Sequence, residues 1–207
     1  MSHTPGVRQA QKQQSRRALL DAALGLLEHQ NLSGVGVREV TREAGLSPAG
    51  FYRHFRDLSE LAVVLVEESL ASLHGMIRRV LAESGDSDQL IDRSVELIAD
   101  HVREHPAHVR FLARERHGGV RAVREAIAAE FERFADEVAA GLGAQPASEG
   151  WSRADVRMLA ELYVEHMVAT AAAFLEAGPA GEGRIARTAR TQLRLITTGR
   201  RHWLDGG

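Results

Sequence analysis

The chain has 207 residues, 44% of them hydrophobic, with 26 Lys or Arg against 28 Asp or Glu and a formal net charge of -2. That much apolar material builds a core without covalent or metal staples. Cysteine is absent, which excludes disulfides, thiolate zinc sites and cysteine nucleophiles, and suits a reducing, cytoplasmic setting.

The opening segment MSHTPGVRQAQKQQSRR has no apolar h-region, and nowhere does the sequence reach the roughly 18 consecutive apolar residues of a membrane span. No membrane partner is expected. Ala, Leu, Glu and Arg dominate, and no valine-rich alternating segment stands out, so the expected fold class is all-α. From Gln9 to His29, apolar residues at Leu19, Leu20, Ala23, Leu26 and Leu27 mark one face of an amphipathic helix, which Asn31 to Gly36 then breaks. Val37 to Ala44 reads as a short helix, Gly45-Leu46-Ser47 as a tight turn, and Pro48 to Phe55 as a second short helix. Ser47 is its expected N-cap and Pro48 its first residue, where a missing N–H costs nothing. Asp57 followed by Glu60 resembles a capping box and opens a helix from Leu58 to about Glu83.

Beyond a loop at Gly85-Asp86-Ser87, a helix is expected from Asp88 to Glu104, and Pro106 forces a new start before Phe111 to Arg116. Gly118-Gly119 marks another break, followed by a helix from Val120 to Leu142 and a polar loop from Gly143 to Gly150. Two long helices close the chain, Ser152 to Ala177 and Glu182 to Leu204, split by Gly178-Pro179-Ala180-Gly181. About nine helices result.

The informative segment is VREVTREAGLSPAGFYRHF at residues 37 to 55, two short helices around a three-residue turn containing glycine. Gly45 suits a left-handed turn position. Val40, Ala44, Leu46 and Phe51 are available to pack on Leu19, Ala23 and Leu26 of the preceding helix, giving a three-helix unit. The outward residues of the second short helix would be Ser47, Ala49, Gly50, Tyr52, Arg53 and His54. Small residues let a backbone approach base edges, while Tyr52, Arg53 and His54 suit phosphates or bases. Arg38 and Thr41 are expected at the DNA backbone, and Arg8, Lys12, Arg16 and Arg17 along neighbouring phosphates or in the minor groove. Charge follows this division weakly: residues 1–60 carry eight basic and six acidic side chains, the remainder 18 and 22. By pattern alone the segment also fits an αα-hairpin of a helical bundle.

GLSPAGFYRHFRDLSEL resembles the signature of TetR-family repressors, over about Arg16 to Leu61. The resemblance implies a DNA-binding domain over 1–57 and a larger helical ligand-binding and dimerisation domain over 58–207. It further implies that the chain pairs with itself as a homodimer on a palindromic double-stranded operator and releases it on binding a small molecule. Many members carry Thr or Ser where this chain has Gly50, and Lys where it has Leu58, so those two contacts do not transfer.

RRALLDAAL, VREV, FYRHFRDLSEL and RFLARERHGG are similar to the fatty-acid-responsive repressors of the FabR and DesT type, which implies a long-chain acyl-CoA effector. No other cofactor is expected. Leu65, Phe111, Met158, Leu162, His166 and Phe174 are the candidate ligand contacts, each equally at home in an ordinary core, with Arg114 and Arg116 offered to the phosphates of the head group. A drug-like or other hydrophobic effector is the alternative. His101 and His105 stand four apart without a clear third ligand, so no metal is expected. There is no glycine-rich phosphate loop, GxSxG elbow or HExxH motif, and no enzyme is expected.

Overall fold

The computed structural model describes residues 5–82 and 87–203, which are helical apart from short turns. Among them are eight α-helices: α1 (Pro5–Leu27), α2 (Val37–Glu43), α3 (Pro48–Phe51), α4 (Leu58–Ala82), α5 (Ser87–Glu104), α6 (Pro106–Glu115), α7 (Arg121–Gly143) and α8 (Arg153–Arg201). Two 3-10 turns, Leu32–Gly34 and Pro146–Ser148, join them. The loop expected at 85–87 and the helix ends expected at Glu83 and Leu204 fall largely outside the described residues.

Two compact units form, each from discontinuous chain: residues 1–69 with 110–127, and residues 70–109 with 128–207. Compaction therefore divides the chain elsewhere than at residue 57.

The first unit is built on local rules. Ser47 caps α3 by accepting the Gly50 N–H at 3.2 Å, and Gly45 sits at φ 67°, a left-handed conformation that a Cβ would strain. Leu19, Leu20, Ala23, Leu27, Val40, Phe51, Phe55, Leu61 and Val66 are buried. Helix α2 packs on α1, and α3 packs on α2. At the head of α4, Asp57 accepts the Glu60 N–H at 2.8 Å, while Glu60 reaches back to the Arg56 N–H at 2.6 Å. The capping box is thus shifted by one residue at its acidic end.

Three expectations need correction. Helix α3 spans four residues, not the eight of Pro48 to Phe55. Its C-cap Tyr52 lies at ψ -7°, and the chain finishes as a turn in which the N–H groups of His54 and Phe55 both bond to the Phe51 carbonyl. Helix α6 begins at Pro106 itself, since proline fits a first helical position. The two closing helices follow each other directly: α8 is interrupted only at Gly178 (φ 59°, ψ -172°), and Pro179 begins the next turn.

In the second unit the halves of α8 fold back on each other, joined by a 3.0 Å hydrogen bond between Tyr163 and Thr197. The later half runs antiparallel to α5, with Arg103 paired to Glu182, Arg190 to Asp92 and Arg194 to Asp88. Ile91, Val95, Ala99, Val102, Val109, Phe174, Ala189 and Leu193 form the core between them. A smaller cluster of Leu142, Val156, Leu159 and Ala160 lies towards the end of α7. By length and composition α8 contains a stretch apolar enough to cross a membrane; it is broken at Gly178, and its Phe174, Ala189 and Leu193 belong to this core.

Candidate nucleic-acid interface and effector region

The turn between α2 and α3 aims a set of side chains away from the core. Phe51, fully buried, pins α3 from beneath, so its neighbours in sequence face outward. Ser47, Ala49, Arg53 and Arg38 are exposed, Tyr52 is 61% exposed with its ring edge-on to Phe51, and Gly50 is half-buried. A Cβ on Gly50 would meet only ordinary contacts, at 3.6 Å from Ser47 Oγ and 3.7 Å from Leu46 Cβ. Thr41 departs from expectation: it is buried, and its hydroxyl donates to the Arg38 carbonyl at 3.2 Å. With Val40 beside it in the core, the seven-residue α2 turns Thr41 inward.

Electrostatics on this face are positive. The pKa of His54, half-buried at the end of the turn, lies below its ordinary value through burial first and then through the charges of Lys12, Arg16 and Arg53. Three cations therefore converge on one ring, a field that favours an incoming anion. Arg16 also lies over the Phe55 ring at 5.3 Å and pairs with Glu68 at 3.7 Å, while Arg17 pairs with Asp21 and Glu68. Such part-exposed pairs are weak.

Behind this face lies a polar lock that sequence reasoning missed. The Arg114 guanidinium donates to the carbonyls of Leu27 at 2.9 Å and Gln30 at 3.0 Å, just where α1 ends and carbonyls lack helical partners. Next to it Glu115, 1% exposed, accepts the Leu32 N–H at 2.9 Å. Arg124 donates to the Gly118 carbonyl at 2.6 Å. The guanidinium that the sequence offers to a ligand phosphate is thus engaged on α1, which corrects that assignment for Arg114. Only the tight Gly118-Gly119 turn after RERH hinted at a close-packed end here.

The other candidate effector contacts separate between the units. Leu65 and Phe111 are buried, and Arg116 half-buried, in the first unit. Phe174 belongs to the core of the second. Met158 and Leu162 are 46% and 50% exposed on one side of α8, joined further along it by Leu195. An open surface, not a lined interior, is where the chain alone leaves them. His166, on the same helix, is half-buried with Nε2 unpaired, and burial holds its pKa below the ordinary value.

His101 is the least expected group. It is 5% exposed, neither ring nitrogen has a hydrogen-bond partner, and burial, with the nearby His105 and His108, pushes its pKa down to about 4. His74, by contrast, stacks on Phe134 at 4.1 Å and places Nε2 3.1 Å from the Glu130 carboxylate. Among the described residues no group of three or more His, Asp or Glu is arranged to hold a metal ion.

Helices α1, α2 and α3, with a cationic, aromatic outer face, form a helix-turn-helix arrangement of the kind that enters DNA grooves. Residues 19–63 match the family described as bacterial regulatory proteins, tetR family. Solved structures agree over most of the length. A TetR-family regulator from Syntrophomonas wolfei superposes with a TM-score of 0.74 at 12% identity, covering 90% of this chain and 96% of that one. FadR from Bacillus subtilis in complex with stearoyl-CoA gives 0.71 at 13% identity, covering 88% and 98%. SmeT in complex with triclosan gives 0.67 at 17% identity, covering 86% and 89%. At such identities the likeness is one of fold.

Proposed function

We propose that the protein is a homodimeric, effector-responsive repressor that holds a palindromic operator with the α2–α3 face and releases it when a hydrophobic small molecule occupies the second unit. The observation that carries the reading is the outward set Ser47, Ala49, Tyr52 and Arg53 on a turn pinned by Phe51, with Lys12, Arg16 and Arg53 converging beside it. So short a reading helix contacts few bases, and two copies on a two-fold axis would place a second one about 34–36 Å away. The exposed Met158, Leu162 and Leu195 of α8 are the apolar surface such a copy would cover.

For the effector, a long-chain acyl-CoA and control of fatty acid genes is supported by the fold likeness to FadR with stearoyl-CoA. A drug-like effector, with control of an efflux or catabolic gene, is supported by the likeness to SmeT with triclosan. Selection from random duplexes should return a palindrome, with affinity falling steeply as salt rises. Light scattering should report a dimer. Oleoyl-CoA should weaken the complex if the acyl reading holds. A monomer whose duplex affinity ignores both sequence and salt overturns the proposal.

A further inference from the structure

Helix α5 ends, and α6 begins, in a row of three imidazoles. His101, His105 and His108 stand at spacings of four and three residues, and the backbone N–H groups of His105 and Val109 bond to the carbonyls of His101 and His105, so the helical path continues through the junction. Their rings meet in sequence, His101 to His105 at 5.1 Å between centroids and His105 to His108 at 5.7 Å. Ala99, Val102 and Val109, all buried in the core of the second unit, flank the row. Of the three, His101 is nineteen-twentieths buried with both nitrogens unmet.

A leucine would fill this space without any polar atom to satisfy. An imidazole with two unmet nitrogens costs stability unless something arrives to bond it. Nothing in the described chain does so, whereas His74 in the same unit has its carboxylate. We propose that His101, with His105 and His108 beside it, is the polar anchor of the effector site in the second unit and takes a neutral molecule carrying a hydroxyl group on an apolar body. The inference rests on the reading that an effector binds in this unit, and it adds the chemistry of that effector.

Complementarity argues for the hydroxyl. A neutral imidazole presents one N–H donor and one bare nitrogen acceptor, and a hydroxyl supplies the matching acceptor and donor. A carboxylate or phosphate only accepts, and to gain from a charge pair it needs an imidazolium, which these surroundings disfavour, with burial the larger cause and the neighbouring histidines the smaller. The apolar flank adds the desolvation of the anion itself. His166, also with an unpaired ring nitrogen, belongs to the same unit and offers a second neutral partner.

The test is calorimetric titration of the full-length protein with para-octylphenol, its methyl ether para-octylanisole, para-octylbenzoate and oleoyl-CoA, followed by nitrogen-detected histidine spectra. The phenol should bind at least about tenfold tighter than the ether, the difference one well-placed hydrogen bond supplies, and should shift the His101 ring nitrogens. In His101→Leu the ratio should fall to about one, and His101→Gln, which keeps hydrogen-bonding atoms, should restore part of it; thermal melts confirm that both variants fold. Equal binding of phenol and ether, a ratio unchanged in His101→Leu, unshifted ring nitrogens, or a preference for the benzoate overturns the inference. Binding of oleoyl-CoA without the phenol overturns it while leaving the effector reading of the unit intact. Binding of none of the four overturns both.

Discussion

One deeply buried polar group in each compact unit stands out, and the two are treated in opposite ways. In the first, Glu115 is 1% exposed and holds the Leu32 N–H, and Arg114 beside it closes the end of α1. In the second, His101 is nearly as buried and bonds to nothing, and His166 has a bare nitrogen. A satisfied network fixes one arrangement. An unsatisfied one stores a cost that a partner would relieve. Perturbing each kind of group should therefore give effects of opposite sign.

Acid should expose the largest difference. The unfolded His101 ring binds a proton near pH 6.5, and the folded one only at about 4. As pH falls, the unfolded chain takes up the proton first, so this contribution is complete above about 6.5 and is lost between there and about 4, on the order of 3 kcal/mol in all. Urea unfolding across that window should show a loss in the wild type larger by about that amount than in His101→Leu, where His54 and His166 still contribute. An identical pH dependence in both would place the titrating group elsewhere.

Next in size is the first unit's lock. Glu115→Ala strands the Leu32 N–H and empties a buried volume, and should lower stability by about 2–3 kcal/mol in urea unfolding. His101→Leu is the mirror experiment: at neutral pH it removes two unmet nitrogens and should raise stability by about 1–2 kcal/mol. Two losses, instead of a loss and a gain, would dissolve the contrast between the units. The smallest effect belongs to Gly50→Ala, where a Cβ meets no close neighbour and helical entropy is recovered, for a gain of about 0.5 kcal/mol by thermal melting.

How far the sequence revealed these features depends on their range. Gly45, Ser47 and Pro48 specify a turn and a cap among near neighbours, and their reading survives in the structure. The length of α3 was overestimated because Tyr52, Arg53 and His54 have no helix-breaking chemistry, and only the packing of Phe51 and Phe55 sets the turn. Arg114 was misread because its acceptors are backbone carbonyls more than eighty residues away, and a carbonyl leaves no mark in a sequence. Met158 and Leu162 show helical spacing, which is the same for a cavity wall and an outer apolar face. His101 was noticed only for standing four residues from His105 without a third metal ligand, since a lone histidine does not announce its burial.

The discontinuity of the units has a consequence for how such a protein can be taken apart. The chain passes from one unit to the other at residues 69–70, 109–110 and 127–128, each time inside a helix, in α4, α6 and α7. No flexible tether marks a place to cut. A fragment ending at residue 57 would leave behind 58–69 and 110–127, including Arg114 and Glu115, and should fail to hold its shape. Exchange of the first unit between proteins built this way is thus not a matter of one splice. It requires transplanting two stretches of sequence together, 1–69 and 110–127, or redesigning the surfaces that the omitted residues would have covered.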